Sequence, residues 1–390
     1  MDRRTWDERL RAEEQRGLRR RLPDPRADSA VLDFASNDYL GLRRDPRVIA
    51  AAREALDHDG VGSGASRLLG GNATVHVELE RDLARLKGTD AALVFSSGYA
   101  ANLGLLTSIS EPEDVIYCDR LDHASLVDGA RLARAELRFY RHGDPEHLRR
   151  QLARRRPTGR AWVATDGVFS MDGVLAPVPD LAAVAREFDA TLIVDDAHAT
   201  GVLGPEGAGT VRHFELDAGE VVQMGTLSKA LGCQGGFVAG PDGLIDWLVQ
   251  RARSFVYSTG LALPVAAAAR RAIELARGDP LRARRQRSFD RLRHGLRDQG
   301  WVVWGASPAP MLAVVVESAT AATTLAAGLR KLGVAAPAIR PPTVPRDSCR
   351  LRLAPTASMG DAEIDRALEA FARVRRADRP ISGGRSPCSG

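Results

Sequence analysis

Five places in this 390-residue sequence put reactive side chains directly behind a short apolar run. Lys229 lies in Gly225-Thr226-Leu227-Ser228-Lys229-Ala230-Leu231-Gly232, after the run 221–224. Asp195 and His198 follow the run 191–194. Asp166 opens Asp166-Gly167-Val168-Phe169-Ser170-Met171-Asp172-Gly173 after 161–165, and His123 comes shortly after 115–118. Ser96-Ser97-Gly98-Tyr99-Ala100-Ala101-Asn102 follows 91–95. Of these groups the lysine is the most telling. A lysine amine can lose its proton and add to a carbonyl, which a guanidinium cannot. Only three of the 55 basic residues are lysine: Lys87, Lys229 and Lys331. Lys87 and Lys331 sit near the ends of helix-like stretches, before Gly88 and Gly333, where a cation suits the helix dipole. Lys229 has no such explanation.

The apolar runs alternate with helix-like stretches, as in a parallel α/β sheet. In such sheets ligands bind beyond the carboxyl ends of the strands. Ser97, Gly98 and Tyr99 then open a helix whose free N–H groups suit a phosphate. Taken singly, each feature has an ordinary reading as a turn, a helix cap or a satisfied polar histidine. Taken together, a phosphate cradle, a carboxylate, two histidines and a lysine fall on one sheet edge. That set meets the needs of pyridoxal 5'-phosphate: an amine for the aldehyde, and a carboxylate that keeps the pyridine nitrogen protonated. Two unit charges ~4 Å apart interact by roughly 4 kcal/mol at intermediate dielectric, enough to hold that proton at neutral pH. Asp195 is the candidate partner.

Further elements frame this edge. Residues 1–22 read as a charged amphipathic helix ended by Pro23, followed by a strand at 31–34, a helix at 46–56 and the glycine-rich stretch 60–71. Asp180 reads as the cap of a helix with Leu181, Val184, Ala185 and Phe188 on one face. Beyond about residue 285 the texture changes to a long arginine-rich helix, strands at 301–304, 311–316 and 350–353, a helix at 321–332 and a last helix bearing Ile364, Leu368, Phe371 and Val374. The expected organisation is an N-terminal arm (1–45), a large mostly parallel α/β domain (46–284), a small α+β domain (285–378) and a disordered tail (379–390).

Bulk properties narrow the function. A net charge of +5 and a pI near 9.3 are mildly basic. The arginine clusters at 149–156 and 282–297 read as solvated helix faces or as an attraction for an anionic acyl carrier. No binding motif accompanies them, so nucleic acid is not expected as a partner. No apolar run reaches membrane length and the N-terminus carries no apolar segment, so a cytoplasmic protein is expected. Cys118, Cys233, Cys349 and Cys388 have neither disulfide nor metal spacing, and no metal is expected.

Five motifs, in order, carry a family resemblance: Ser36-Asn37-Asp38-Tyr39-Leu40-Gly41, Gly62-Ser63-Gly64-Ala65-Ser66-Arg67, the stretch 166–173, Asp195-Asp196-Ala197-His198, and Thr226-Leu227-Ser228-Lys229. They resemble those of the α-oxoamine synthases, fold-type I pyridoxal-phosphate transferases with the architecture of aspartate aminotransferase. The resemblance spans residues 1–375, and 338–345 is most similar to the biotin-pathway branch. It implies a catalytic set of Lys229, His123, Asp195 and His198. Lys229 would bond the cofactor aldehyde, Asp195 would face the pyridine nitrogen, His198 the phenolic oxygen and His123 the ring face. Ser97, Gly98, Tyr99 and Thr226 would hold the phosphate, with Ser170 lining the ring and Thr259 reaching the phosphate of a neighbouring subunit. Arg352 would clamp the amino-acid carboxylate, Asn37 would line the site, and Arg19 and Arg340 would lie near the acyl substrate. The site would lie between the subunits of a homodimer.

The implied reaction has the freed lysine remove the α proton of an amino acid. The resulting carbanion attacks an acyl thioester, and loss of the carboxylate leaves an amino ketone. For the biotin branch the substrates would be L-alanine and a pimeloyl thioester of CoA or of a carrier protein. Asp166 departs from the glutamate frequent in that branch. The glycine-using 2-amino-3-ketobutyrate CoA ligases share a similar stretch, so glycine or serine, an acyl chain other than pimeloyl, and a secondary-metabolism α-oxoamine synthase are the alternatives. A dinucleotide-binding dehydrogenase fits poorly: no apolar strand precedes Gly60-Val61-Gly62-Ser63-Gly64 and the downstream glycine spacing is wrong. A non-catalytic partner subunit would not need Lys229, Asp195 and His198 together.

Overall fold

Apolar runs of five or six residues build the centre of the molecule. The computed structural model describes residues 3–16, 19, 22, 31–155, 158–306, 308–341, 343–345 and 348–378. After a two-residue strand β1 (Leu32–Asp33) come β2 (Ala91–Phe95), β3 (Val115–Asp119), β4 (Glu136–Tyr140), β5 (Ala161–Asp166), β6 (Ala190–Asp195), β7 (Val221–Thr226) and β8 (Gly236–Gly240). β2 to β8 form one seven-stranded sheet of order β2-β8-β7-β6-β5-β3-β4. All pairings are parallel except those of β8 with β2 and β7. Strands β3, β5 and β7 are buried along their whole length, which is why they read as continuous apolar runs rather than alternating ones.

Helices cover both faces of the sheet. Those that matter for the site are α1 (Arg3–Gln15), α2 (Pro46–Asp59), α3 (Thr74–Lys87), α4 (Gly98–Ile109), α5 (Ala124–Leu132), α6 (Pro145–Leu152) and α7 (Val178–Glu187). In α2 the Asp45 carboxylate accepts the Arg47 N–H and proline takes the first helical position, where its missing N–H costs nothing. Helix α7 corrects one expectation: it starts two residues before Asp180, which sits in the first turn instead of capping it. There its charge suits the positive end of the helix. Leu181, Val184 and Ala185 are buried as the periodicity requires.

A second, smaller sheet holds the C-terminal part. Strands β9 (Val303–Trp304), β10 (Leu312–Val315), β11 (Val334–Ala335), β12 (Ala338–Ile339) and β13 (Arg350–Leu353) follow the helix Asp279–Asp298. The sheet runs β12-β13-β10-β9, while β11 pairs with β1. Strand β1 is shorter than the expected 31–34, and Phe34 enters the core of this unit beside Phe289, Leu351 and Phe371. Strands β4 and β8 had no counterpart in the sequence reading. The expected helix over 1–22 is shorter: α1 ends at Gln15, and Arg16, Arg19 and Leu22 are not helical; its proposed stop at Pro23 and the tail 379–390 lie outside the described residues.

Candidate active site

The parallel register aligns the strand ends that matter. Asp195 of β6 stands between Asp166 of β5 and Met224 of β7. One Asp195 oxygen accepts the Ala197 N–H at 2.9 Å and the other accepts Asn102 Nδ2 from α4 at 2.7 Å. Asn102 also donates to Ser125 Oγ at 2.8 Å, and Ser125 Oγ lies 2.7 Å from His123 Nδ1. His123 caps α5, and its backbone N–H is fixed by Asp166 at 2.9 Å. Burial holds the His123 pKa below its ordinary value. Asp166 is pushed well above the carboxylate range, first by burial and then by the charge of Asp195. Asp166 is thus held toward its neutral form beside Asp195.

Lys229 enters from the turn after β7. Its Nζ lies 2.9 Å from His198 Nε2, and the other ring nitrogen of His198 lies 2.6 Å from the Tyr39 hydroxyl. Part of the lysine surface faces the cavity, yet protein surrounds the amine closely. Burial lowers its pKa from 10.5 to about 8, against the pull of Asp195 and Asp166. Burial also holds His198 neutral, helped by the positive charges of Lys229 and Arg352. From β13, Arg352 reaches across: Nε donates to the Ser170 carbonyl at 2.6 Å, and Nη2 to Asn37 Oδ1 at 2.8 Å and to Tyr39 at 3.2 Å. Two residues away, Arg350 pairs with Asp172 at 3.2 Å. One face of β13 therefore grips the loop 166–173 twice.

At the opposite end lies the N-terminus of α4. Ser97 caps it, its Oγ accepting the Ala100 N–H, and the first helical amides, Gly98 and Tyr99, have no intrahelical acceptor. Gly236 allows this approach, because a Cβ there would collide with the backbone of Gly98. Thr226 Oγ1 and Ser228 Oγ stand 2.7 Å apart beside it. These groups line a cavity of about 230 Å³ with Ser97, Gly98, Tyr99, His123, Ser170, Asp195, His198, Thr226 and Lys229 on its walls. Larger hollows of about 610 and 880 Å³ lie elsewhere. Neither collects a lysine, a histidine and a buried carboxylate, so the smaller cavity is the chemically competent one.

Every expected catalytic residue thus borders one cavity. Asn37 and Arg352 are not among the lining residues but bond to neighbours of the cavity: Arg352 to the lining Ser170, and both to Tyr39, which contacts the lining His198. Arg19, Arg340 and Thr259 are not among the lining residues: Arg19 pairs with Glu14 and Thr259 bridges to Ser66. Lys87 corrects an expectation. It does end α3, but it is fully buried, and its amine donates to Asp196 at 2.7 Å and to the Ala208 carbonyl at 2.6 Å. Thr210 adds a 2.6 Å bond to the same carboxylate. Gly209, at φ 110°, leaves the space this pair needs, since a Cβ would overlap both partners. Tyr39, Asn102 and Ser125 were given no role from sequence. Asn102 could have been found, because it lies one turn after Gly98 on the same face of α4.

The profile of the family "Aminotransferase class I and II" matches residues 29–371. The chain is 48% identical over 337 residues to an 8-amino-7-oxononanoate synthase of Acidithiobacillus ferrooxidans, covering 86% of each protein. It is 46% identical over 347 residues to one of Geobacter sulfurreducens, covering 88% of each. Among solved structures it is similar to Sphingomonas wittichii serine palmitoyltransferase, with a TM-score of 0.89 and 32% identity over 97% of this chain and 99% of that one. It is also similar to 8-amino-7-oxononanoate synthase from Francisella tularensis, with a TM-score of 0.76 and 26% identity over 90% and 99%. The chain belongs to the aminotransferase class I and II family, and within it to the α-oxoamine synthases.

Proposed function

We propose that this chain is a pyridoxal-5'-phosphate-dependent acyltransferase. It condenses L-alanine with a pimeloyl thioester, of CoA or a carrier protein, to 8-amino-7-oxononanoate and CO2 for biotin synthesis, the activity named for its curated relatives. The observation that carries the reading is Lys229, a cavity-lining amine with its pKa lowered to about 8 beside His198 and Arg352. The cavity suits the cofactor at both ends: open helix amides with Thr226 and Ser228 hydroxyls for the phosphate, and the buried Asp195, fixed by Asn102, for the pyridine nitrogen. Bound there, pyridoxal phosphate supplies a protonated ring that takes up the electron pair released when a bond at the amino-acid Cα breaks.

The chain's own residues do the rest. Lys229 Nζ anchors the cofactor and, when free, takes the α proton; a pKa near 8 gives it a useful neutral fraction at working pH. His198 holds the phenolic oxygen and His123 covers the ring face. Ser97, Gly98, Tyr99 and Thr226 hold the phosphate, with Ser170 along the ring. Arg352 receives the substrate carboxylate, a countercharge that its present neutral acceptors on Ser170, Asn37 and Tyr39 do not provide. Arg19 and Arg340 are assigned to the acyl thioester. A homodimer is part of the reading, with Thr259 serving a neighbouring subunit. The exposed Val61, Leu69 and Tyr257 near Thr259 support an apolar contact there. A cytoplasmic setting agrees with a CoA-dependent reaction and with the free Cys118, Cys233 and Cys349. No helix among the described residues is long and apolar enough to cross a membrane.

The protein reconstituted with pyridoxal phosphate should be yellow, and borohydride should fix the cofactor on Lys229. Mixed with pimeloyl-CoA and L-alanine, glycine or L-serine, it should release thiol and form the alanine-derived amino ketone, checked by mass. Turnover restricted to glycine with acetyl-CoA would replace the biotin assignment, and a colourless protein after reconstitution would end the whole reading.

A further inference from the structure

Tyr39 is fully buried, yet its hydroxyl meets three polar groups from three separate parts of the chain. It lies 2.6 Å from His198 Nδ1, 3.1 Å from Asn37 Oδ1 and 3.2 Å from Arg352 Nη2. Arg352 also donates to Asn37 at 2.8 Å, and His198 Nε2 lies 2.9 Å from Lys229 Nζ. A continuous chain of contacts therefore runs from the arginine of the small sheet to the lysine of the large one, and Tyr39 is the junction.

The direction of each bond follows from donor counting. Arg352 can only donate, and Asn37 Oδ1 can only accept. A neutral imidazole donates from one nitrogen and accepts at the other. When Lys229 carries its proton, the ammonium donates to a bare His198 Nε2. Nδ1 then bears the ring proton and donates to the Tyr39 oxygen, and the Tyr39 O–H points to Asn37 Oδ1. When Lys229 is neutral it can accept from Nε2–H. Nδ1 is then bare, and the Tyr39 O–H turns to donate to it. Both arrangements satisfy every buried group, and they differ in the proton of Lys229, in the His198 nitrogen that carries the ring proton and in the direction of the Tyr39 hydroxyl. A phenol pKa raised to about 12 by burial keeps that proton on Tyr39 throughout.

We propose that Tyr39 is a positioning residue that couples Arg352 to the Lys229–His198 pair: its hydroxyl, turning between Asn37 Oδ1 and His198 Nδ1, sets whether the imidazole nitrogen on the cavity side, Nε2, carries the ring proton. The inference rests on the proposed function only in taking Arg352 as the receptor for the amino-acid carboxylate. A carboxylate arriving there competes for the Arg352 N–H groups now given to Tyr39 and Asn37. The junction thereby passes its arrival to His198.

The test uses the full chain, labelled with 15N at histidine, with His198 assigned by its loss in His198→Asn. Long-range proton–nitrogen spectra read the tautomer. Tyr39→Phe keeps the ring and removes one oxygen, so His198 should move toward an averaged tautomer mixture. Asn37→Leu removes the competing acceptor, so the tyrosine proton should stay on His198 and hold it in the Nε2–H form. In the pyridoxal-phosphate-loaded protein, the dissociation constant for L-alanine, read from absorbance, should fall about tenfold in Tyr39→Phe, because the arriving carboxylate no longer competes with the phenol oxygen for Arg352. A merely structural tyrosine would lower the melting temperature in both variants and leave the tautomer and the affinity unchanged. That pattern overturns the proposal. If Tyr39→Phe does not fold, Asn37→Leu alone decides it: an unshifted tautomer there overturns it. The expected tautomer shifts in a protein that binds none of the three amino acids would uphold the junction while ending the functional reading.

Discussion

Lys87 and Lys229 stand on opposite sides of the same strand end, one beneath Asp196 and the other facing the cavity beyond Asp195. Both are enclosed by protein. Lys87 touches a carboxylate and a carbonyl at hydrogen-bond distance, whereas among the described residues the Lys229 amine touches only an imidazole and feels its carboxylates from farther off. The two pockets show that burial alone does not make a lysine reactive; what decides it is whether a fixed anion has been built against the amine. The paired lysine anchors the turn 195–198, and the unpaired one is left free to change its proton state.

Lysine substitutions would break or sharpen this contrast. The largest effect is expected for Lys229→Arg, which keeps the charge and should lower amino-ketone formation by at least about a thousandfold; turnover within tenfold of the parent would remove Lys229 from the chemistry. Next comes Lys87→Met, which strands the Asp196 carboxylate in the interior and should cost about 3–5 kcal/mol of stability in urea unfolding. Adding Asp196→Asn should return part of it, and an unchanged urea midpoint in the single variant would mean the pair does not bear on stability.

Lys229→Met should act in the opposite direction. In the cofactor-free protein the folded state carries the cost of a charged amine below pH 8. That cost fades as pH rises from the folded pKa of about 8 to the unfolded 10.5. Lys229→Met should therefore stabilise at pH 7 by roughly 2 kcal/mol, with cavity water screening part of the full shift. The gain should shrink toward zero near pH 10.5. Urea midpoints at pH 7 and pH 10 decide it, and a loss of stability at pH 7 would contradict the site's electrostatics. The smallest effect is expected for Lys331→Ala. Lys331 is exposed in the last turn of the helix Ala319–Lys331, so the change should stay under about 0.5 kcal/mol.

The sequence was most legible where structure is local. The apolar runs before Asp166, Asp195 and Lys229 announced strands, and strand ends in a parallel sheet announce a ligand edge, so the residues of the cavity wall could be named in advance. Lys87 was misread because its position at a helix end is visible along the chain, while its carboxylate lies 109 residues away. Tyr39 and His198 are 159 residues apart, and no periodicity encodes such a meeting. Strand β8 was missed for a related reason: Gly236-Phe237-Val238-Ala239-Gly240 is short, bounded by glycine, and becomes a strand by inserting between β2 and β7.

The distribution of the three lysines also bears on how the protein can be handled. Lys87 is sealed by its ion pair, and Lys229 would be occupied once the cofactor is bound. Lys331 is then left as the one side-chain amine open to solvent among the described residues. An amine-reactive dye or resin should attach there, on a helix of the small unit, without touching the cavity. Composition alone thus gives the loaded enzyme a single addressable side-chain handle for labelling or oriented immobilisation.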